Sequence, residues 1–229
     1  MNETIQDLAQ NAATGAAPAL GQPLQIALML GALAFISAAL VTLTAFTRII
    51  IVLSFVRRAL STQEIPPTQV LIGLALFLTL FVMGPTLDGI DKDAVRPFMA
   101  EKISGMQAWE IGSGHLRTFM TRQTRKQDLA LFLDLAGLKK VSGPEAVPWR
   151  VLMPAFVTSE LRTAFIMGFC IYLPFLMVDL VVSSVLTSMG MVMMPPVTIS
   201  APFKILLFVL ADVWHLITFA IAASYQVGT

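Results

Sequence analysis

The chain has 229 residues, 56% hydrophobic and 13% charged, with a mean hydropathy of +0.79 and a formal net charge of +1. A soluble globular domain carries roughly 25% charged residues, so this balance points to a bilayer or a very apolar assembly, and it lacks the basic surface that nucleic-acid binding needs. The single cysteine, Cys170, rules out an internal disulfide; set between Phe169 and Ile171, it reads as an inert core residue.

Glu3 and Asp7 give the N-terminus an acidic start where a secretory signal would carry Lys or Arg, and residues 1–22 read as a flexible tail rich in Ala, Thr, Gly and Pro. No charge then occurs until Arg48, and the apolar segment Leu24 to Phe46 exceeds the roughly 20 residues a spanning helix needs. Ala27 and Gly31 form a small-xxx-small pair that would let another helix approach. Apolar character resumes through Ile49–Leu53, so the helix is expected to overshoot its span before Arg57 and Arg58. Pro66-Pro67 ends the connection, and Val70 to Leu87 forms a second apolar segment, its last turn weakened by Gly84-Pro85. Residues 23–87 thus read as a first apolar helix pair.

Residues 88–150 form a polar helical region with 10 of the 15 Lys and Arg residues. Leu116, Phe119 and Met120 mark one amphipathic stripe; Leu129, Phe132, Leu133 and Ala136 mark another, with Gly137 placed as a helix C-cap. Gly112-Ser113-Gly114-His115 reads as a turn. Arg48, Arg57 and Arg58 count for a cytoplasmic first connection, which puts 88–150 on the opposite, periplasmic side.

Residues 151–229 read as a second apolar pair. Its first segment runs from about Pro154 to Leu186, with a kink expected at Pro174, which removes a helix hydrogen bond and crowds the Cys170 carbonyl. Its second runs from Ile205 to Ala223, broken by Asp212. Between them, in the loop 188–196, Met189, Met191, Met193 and Met194 precede Pro195-Pro196. Methionine is flexible and polarizable, so the cluster offers a surface that re-packs around different shapes, while the doubled proline stops a helix. The fold class is therefore all-α: a polytopic membrane-type protein with four long, partly kinked apolar helices in two hairpin-like pairs and a small helical insertion between them.

Glu160, Arg162, Asp179, Lys204 and Asp212 lie within or beside the apolar segments. A charge at the centre of a membrane helix costs roughly 2.5–3.5 kcal/mol, so each should face a partner or water. The mixed signs predict pairing, Glu160 or Asp179 with Lys204 and Arg162 with a neighbour's carboxylate. A proton path through Asp179, Asp212 and His215, as in a proton-coupled small-solute transporter, is the alternative. No zinc-protease, nucleophile-elbow, phosphate-loop or dinucleotide motif occurs, and two histidines with one cysteine make no structural metal site, so neither an enzyme nor a bound metal or cofactor is expected.

Several stretches resemble one family. Met153-Pro154-Ala155-Phe156-Val157-Thr158-Ser159-Glu160-Leu161-Arg162-Thr163-Ala164-Phe165 is similar to a signature of the FliP family, core subunits of the type III protein export gate. So are Gly168 through Leu180, the methionine loop running into Pro195-Pro196-Val197-Thr198-Ile199-Ser200, Pro202-Phe203-Lys204, and Thr47 through Phe55. Ser188-Met189-Gly190 looks more like the flagellar branch than the injectisome branch. The resemblance covers roughly residues 40 to 225. It implies a homopentamer that forms, with FliQ and FliR and beside FlhA and FlhB, a funnel for unfolded flagellar substrates at the flagellar basal body in the bacterial inner membrane. It also implies that Met189 through Met194 close the channel, that Glu160 and Lys204 suit an ion pair, and that the apolar helices sit against lipid or against neighbours above it.

Overall fold

The computed structural model describes residues 22–61, 65–138, 143, 146–191 and 194–226. The tail expected over 1–22 lies outside these except for Gln22, which opens the first helix. The chain forms two units, one ending at Leu40 and one beginning at Val41. The first is represented by most of helix α1 (Gln22–Leu43), with Ile26, Met29 and Leu33 exposed.

The expected overshooting helix is instead broken at Thr44–Ala45, where α2 (Phe46–Ala59) starts afresh. No proline or glycine marks the break. Thr44 Oγ1 accepts from the Phe46 N–H at 3.3 Å, and Thr47 Oγ1 donates to the Val41 carbonyl at 2.6 Å. Side-chain hydroxyls thus take over backbone groups that a continuous helix would pair.

α3 (Thr68–Ile90) runs through Pro85 rather than weakening there, and continues through a π-helical turn, Asp91–Val95, into the short α4 (Arg96–Met99). The widened turn precedes Pro97, whose ring would crowd the carbonyl four residues back in a regular helix. The polar region folds as α5 (Gly105–Gln123) and α6 (Lys126–Leu135). α5 is opened by a capping box: Ser104 Oγ accepts from the Gln107 N–H and the Gln107 side chain accepts from the Ser104 N–H. Gly112 through His115, expected as a turn, lie inside α5. Gly137 ends α6 as expected, at φ +70°, with its own N–H on Asp134 and the Leu138 N–H on the Leu133 carbonyl, a Schellman closure.

α7 (Trp149–Ser188) is one helix of 40 residues that incorporates Pro154 and Pro174. α8 (Pro196–Leu210) and α9 (Val213–Gln226) follow, separated at Ala211–Asp212 with a bend of 62°. The break at Asp212 matches the sequence reading, but α8 begins nine residues before Ile205, because Pro196 occupies the first helical position that proline favours. The doubled proline starts a helix rather than only stopping one.

Among the described residues two helical stretches are long and apolar enough to cross a membrane, Thr68–Met99 and Trp149–Ser188, and a third if the bent pair α8 and α9 counts as one span. The four long apolar helices expected are thus matched in part among the described residues: the first apolar stretch divides at Thr44–Ala45, and α2, of 14 residues, is too short to cross a bilayer and is folded into the core. Its buried residues Arg48, Ile49, Val52, Leu53, Val56 and Ala59 repeat every three to four positions and pack chiefly along the first half of α7. Gly168 permits the closest approach, since a Cβ there would collide with the Phe55 ring. Cys170, expected in a core, is exposed on α7.

Candidate functional site

Two buried charge clusters and one methionine segment hold Glu160, Asp179, Lys204 and the described methionines among the residues that the sequence singled out. In the first cluster Arg48 on α2 meets Glu160 on α7. Arg48 Nε donates to Glu160 Oε2 at 2.9 Å and Nη2 donates to Oε1, a bidentate pair in which both residues are at most 2% exposed. The second guanidinium edge reaches α9, where Nη1 donates to Ser224 Oγ at 3.0 Å. Tyr225 OH donates to Glu160 Oε2 at 2.8 Å, and the Arg48 guanidinium stacks over the Tyr225 ring at 3.9 Å. Both carboxylate oxygens are satisfied and the cation is fully enclosed, so the cluster braces three helices far apart in sequence.

The second cluster joins α7, α8 and the end of α2. Lys204 Nζ donates to Asp179 Oδ2 at 2.6 Å and to Ser61 Oγ at 2.5 Å, while Ser200 Oγ donates to Asp179 Oδ1 at 2.5 Å. Lys204 and Ser200 are buried, whereas the Asp179 side chain keeps 21% of its surface. Ser61 sits just beyond α2 at φ +57°, in the left-handed region. A cation at that helix end also suits the partial negative charge of the last carbonyls.

Of the two partners expected for Lys204, Asp179 is the one it takes. Glu160 does not pair with Lys204: its partner is Arg48, 112 residues away, which the sequence reading had counted as a loop charge in assigning sidedness. That count also loses Arg57, which lies in α2 and donates to Thr68 Oγ1 at 2.9 Å. Arg162 and Asp212 are exposed and form no ion pair among the described residues, and His215 is exposed too. Arg48, Ser61, Ser200 and Tyr225 were missed. The only signal for Arg48 was a cation embedded in an otherwise apolar helical stripe.

The methionine segment leaves α7 through a second Schellman closure. Gly190 stands at φ +78°, its N–H on the Thr187 carbonyl at 3.0 Å, and the Met191 N–H reaches the Leu186 carbonyl at 3.0 Å. At the other end Pro195 is held at ψ 115°, out of the α region, ahead of Pro196. Met189 and Met194 are 65% and 46% exposed, and Met191 is half-buried. Met193 lies outside the described residues. The described methionines thus stand outside the core, between two fixed helix ends.

A profile of the FliP family matches residues 29–221. The chain is 55% identical over 201 residues to the flagellar biosynthetic protein FliP of Pectobacterium carotovorum subsp. carotovorum, covering 88% of this chain and 78% of that protein. It is 53% identical over 186 residues to the same-named protein of Bacillus subtilis (strain 168), covering 81% and 84%. To that of Aquifex aeolicus (strain VF5) it is 45% identical over 205 residues, covering 89% and 86%.

Proposed function

This chain belongs to the FliP family, and from that premise we propose that it is a core subunit of the flagellar type III export gate. Membership makes it a component of the flagellar export apparatus, and its apolar helices make it a membrane-embedded one. Beyond that, the reading is of a homo-oligomer, five copies by family likeness, that builds with FliQ and FliR a channel in the inner membrane through which unfolded flagellar proteins leave, beside FlhA and FlhB. Residues 88–150 face the periplasm in this reading. Met189, Met191, Met193 and Met194 form a compliant seal. Glu160, Arg162, Asp179, Lys204 and Asp212 fix helix and subunit register, and Pro174 gives α7 local give.

The observation that carries the seal is the framing of the methionine segment. Its ends are set by a Schellman closure and a diproline, while Met189 and Met194 point away from the core. Soft side chains on a pinned loop close against ions and yield to a polypeptide. The test is a cell carrying Met191, Met193 and Met194 all changed to alanine, with ion leak and flagellar secretion recorded together. Rising leak with secretion retained is expected; wild-type values for both would overturn the seal.

The transporter alternative has less to stand on, since both Asp179 oxygens accept hydrogen bonds and Asp212 is exposed. An Asp179→Asn variant separates the two. The gate reading expects lost oligomer on a native gel, and a transporter would keep its oligomer and lose coupling.

A further inference from the structure

Pro174 and the bend between α8 and α9 are joined by a row of three aromatic rings. Phe175, next to Pro174 in α7, has its ring centroid 6.3 Å from that of Phe208 in the last turn of α8, and Phe208 meets Trp214 of α9 edge-on at 5.3 Å. Phe175 and Phe208 are buried, and Trp214 is the exposed end of the row. At one end Pro174 cannot donate to the Cys170 carbonyl, so α7 lacks a helix bond there. At the other, Asp212 stands at φ +44°, in the left-handed region, where the chain bends by 62°. Asp212 is exposed and forms no ion pair among the described residues, so its backbone is what the bend uses. Aspartate is one of the few residues with a side chain that tolerate this conformation.

The segments that meet at the row are held differently. The first half of α7 packs along α2, and α9 is buried at Val213, Ile217 and Ile221 and tied through Ser224 and Tyr225 to the Arg48–Glu160 pair. The second half of α7 and α8 are instead joined to each other, by Lys204 and Ser200 on Asp179, and form a single arm. Lys204 on Ser61 Oγ ties that arm to the end of α2. Met189 and Met194 lie at its tip. The arm from Pro174 to Ser188 is about 21 Å long, so a rotation of about 10° at its base carries the tip through about 4 Å.

We propose that Pro174 and Ala211–Asp212 form the two sides of one hinge, on which the arm rotates against α2 and α9, and that the Phe175–Phe208–Trp214 row sets its resting angle. Hinges are built from a few element-terminal residues that absorb the change in backbone angle, as these do. The inference rests on the seal reading for its consequence alone, namely that rotation moves the methionines.

The test is dipolar spectroscopy on the protein in its native oligomer, in a Cys170→Ser chain with spin labels at Val185→Cys on the arm and Phe219→Cys on α9, both exposed positions, labelled copies being diluted with unlabelled ones. Trp214→Ala is expected to widen the distance distribution by about 3 Å, the travel of Val185 for about 10° of rotation on an arm of about 16 Å. Asp212→Gly does the same, since glycine adopts the left-handed region freely and leaves the bend less restrained. Asp212→Asn, which tolerates that region as aspartate does, matches wild type. Unchanged distributions in Trp214→Ala and Asp212→Gly overturn the hinge. So does an Asp212→Asn distribution as wide as that of Asp212→Gly, which would assign Asp212 to its charge. The widened variants are also expected to leak ions; widening without leak keeps the hinge and removes the methionine seal.

Discussion

The two halves of α7 are built on opposite plans. From Val151 to Gly168 the helix turns a buried face to α2, with Leu152, Ala155, Phe156, Ser159, Glu160 and Ala164 enclosed; beyond Gly168 only Phe175 and Leu186 are buried. Phe169, Leu173, Met177, Leu180, Val181 and Val185 stand exposed along that second half. Composition scarcely changes between them, so hydrophobicity does not say which half is core. The difference is in what faces them: the first half is closed by its own chain, including a charge pair too costly to leave single, and the second presents apolar surface to lipid or other proteins.

Breaking the first half should have the largest effect. Glu160→Gln leaves Arg48 enclosed without its carboxylate, and loss of about 3–5 kcal/mol is expected, seen as failure to accumulate folded protein. An Arg48→Met, Glu160→Met double variant should recover much of it, and a double variant no better than the single one would show that the pair itself is not what matters. Next comes Gly168→Ala, whose added methyl meets the Phe55 ring; overpacking of this kind costs about 1–3 kcal/mol, read as a lowered melting temperature that Phe55→Leu partly restores.

The charge cluster in the second half sharpens the contrast. Lys204→Met strands Asp179, which still reaches solvent, so we expect clearly less destabilisation than Glu160→Gln in the same unfolding assay; equal losses would dissolve the distinction between the halves. The smallest stability effect belongs to Met189→Ala and Met194→Ala, exposed positions expected to stay within about 0.5 kcal/mol of wild type while still altering ion leak.

How much of this was legible depended on whether the signal was local. The all-helical class, the stripes of α5 and α6, the Gly137 cap and the break at Asp212 follow from spacing within a few residues, and were readable. Ser104 with Gln107 three positions on was an equally local capping signal; Gly112 and Gly114, read as turn residues, lie inside α5, and a Cβ at Gly112 would make only ordinary contact with Ile90 of α3 and Ala94 of the π turn. Pro85 did not weaken α3 as expected: it sits inside the helix, as Pro154 and Pro174 do in α7, and apolar surroundings tolerate such prolines when neighbouring groups take up the freed carbonyls. The Arg48–Glu160 pair was out of reach, because nothing in either neighbourhood specifies a partner over a hundred residues away. Intermittent charges marked which residues must be paired, not with whom.

The exposure of Cys170 has a practical consequence. As the single thiol of the chain, on the open half of α7, it accepts one spin label per copy without any engineered cysteine. Were copies to assemble as the proposed ring, dipolar spectroscopy would count its members by geometry: a five-fold ring gives two separations in a fixed ratio, and a three-fold ring gives only one.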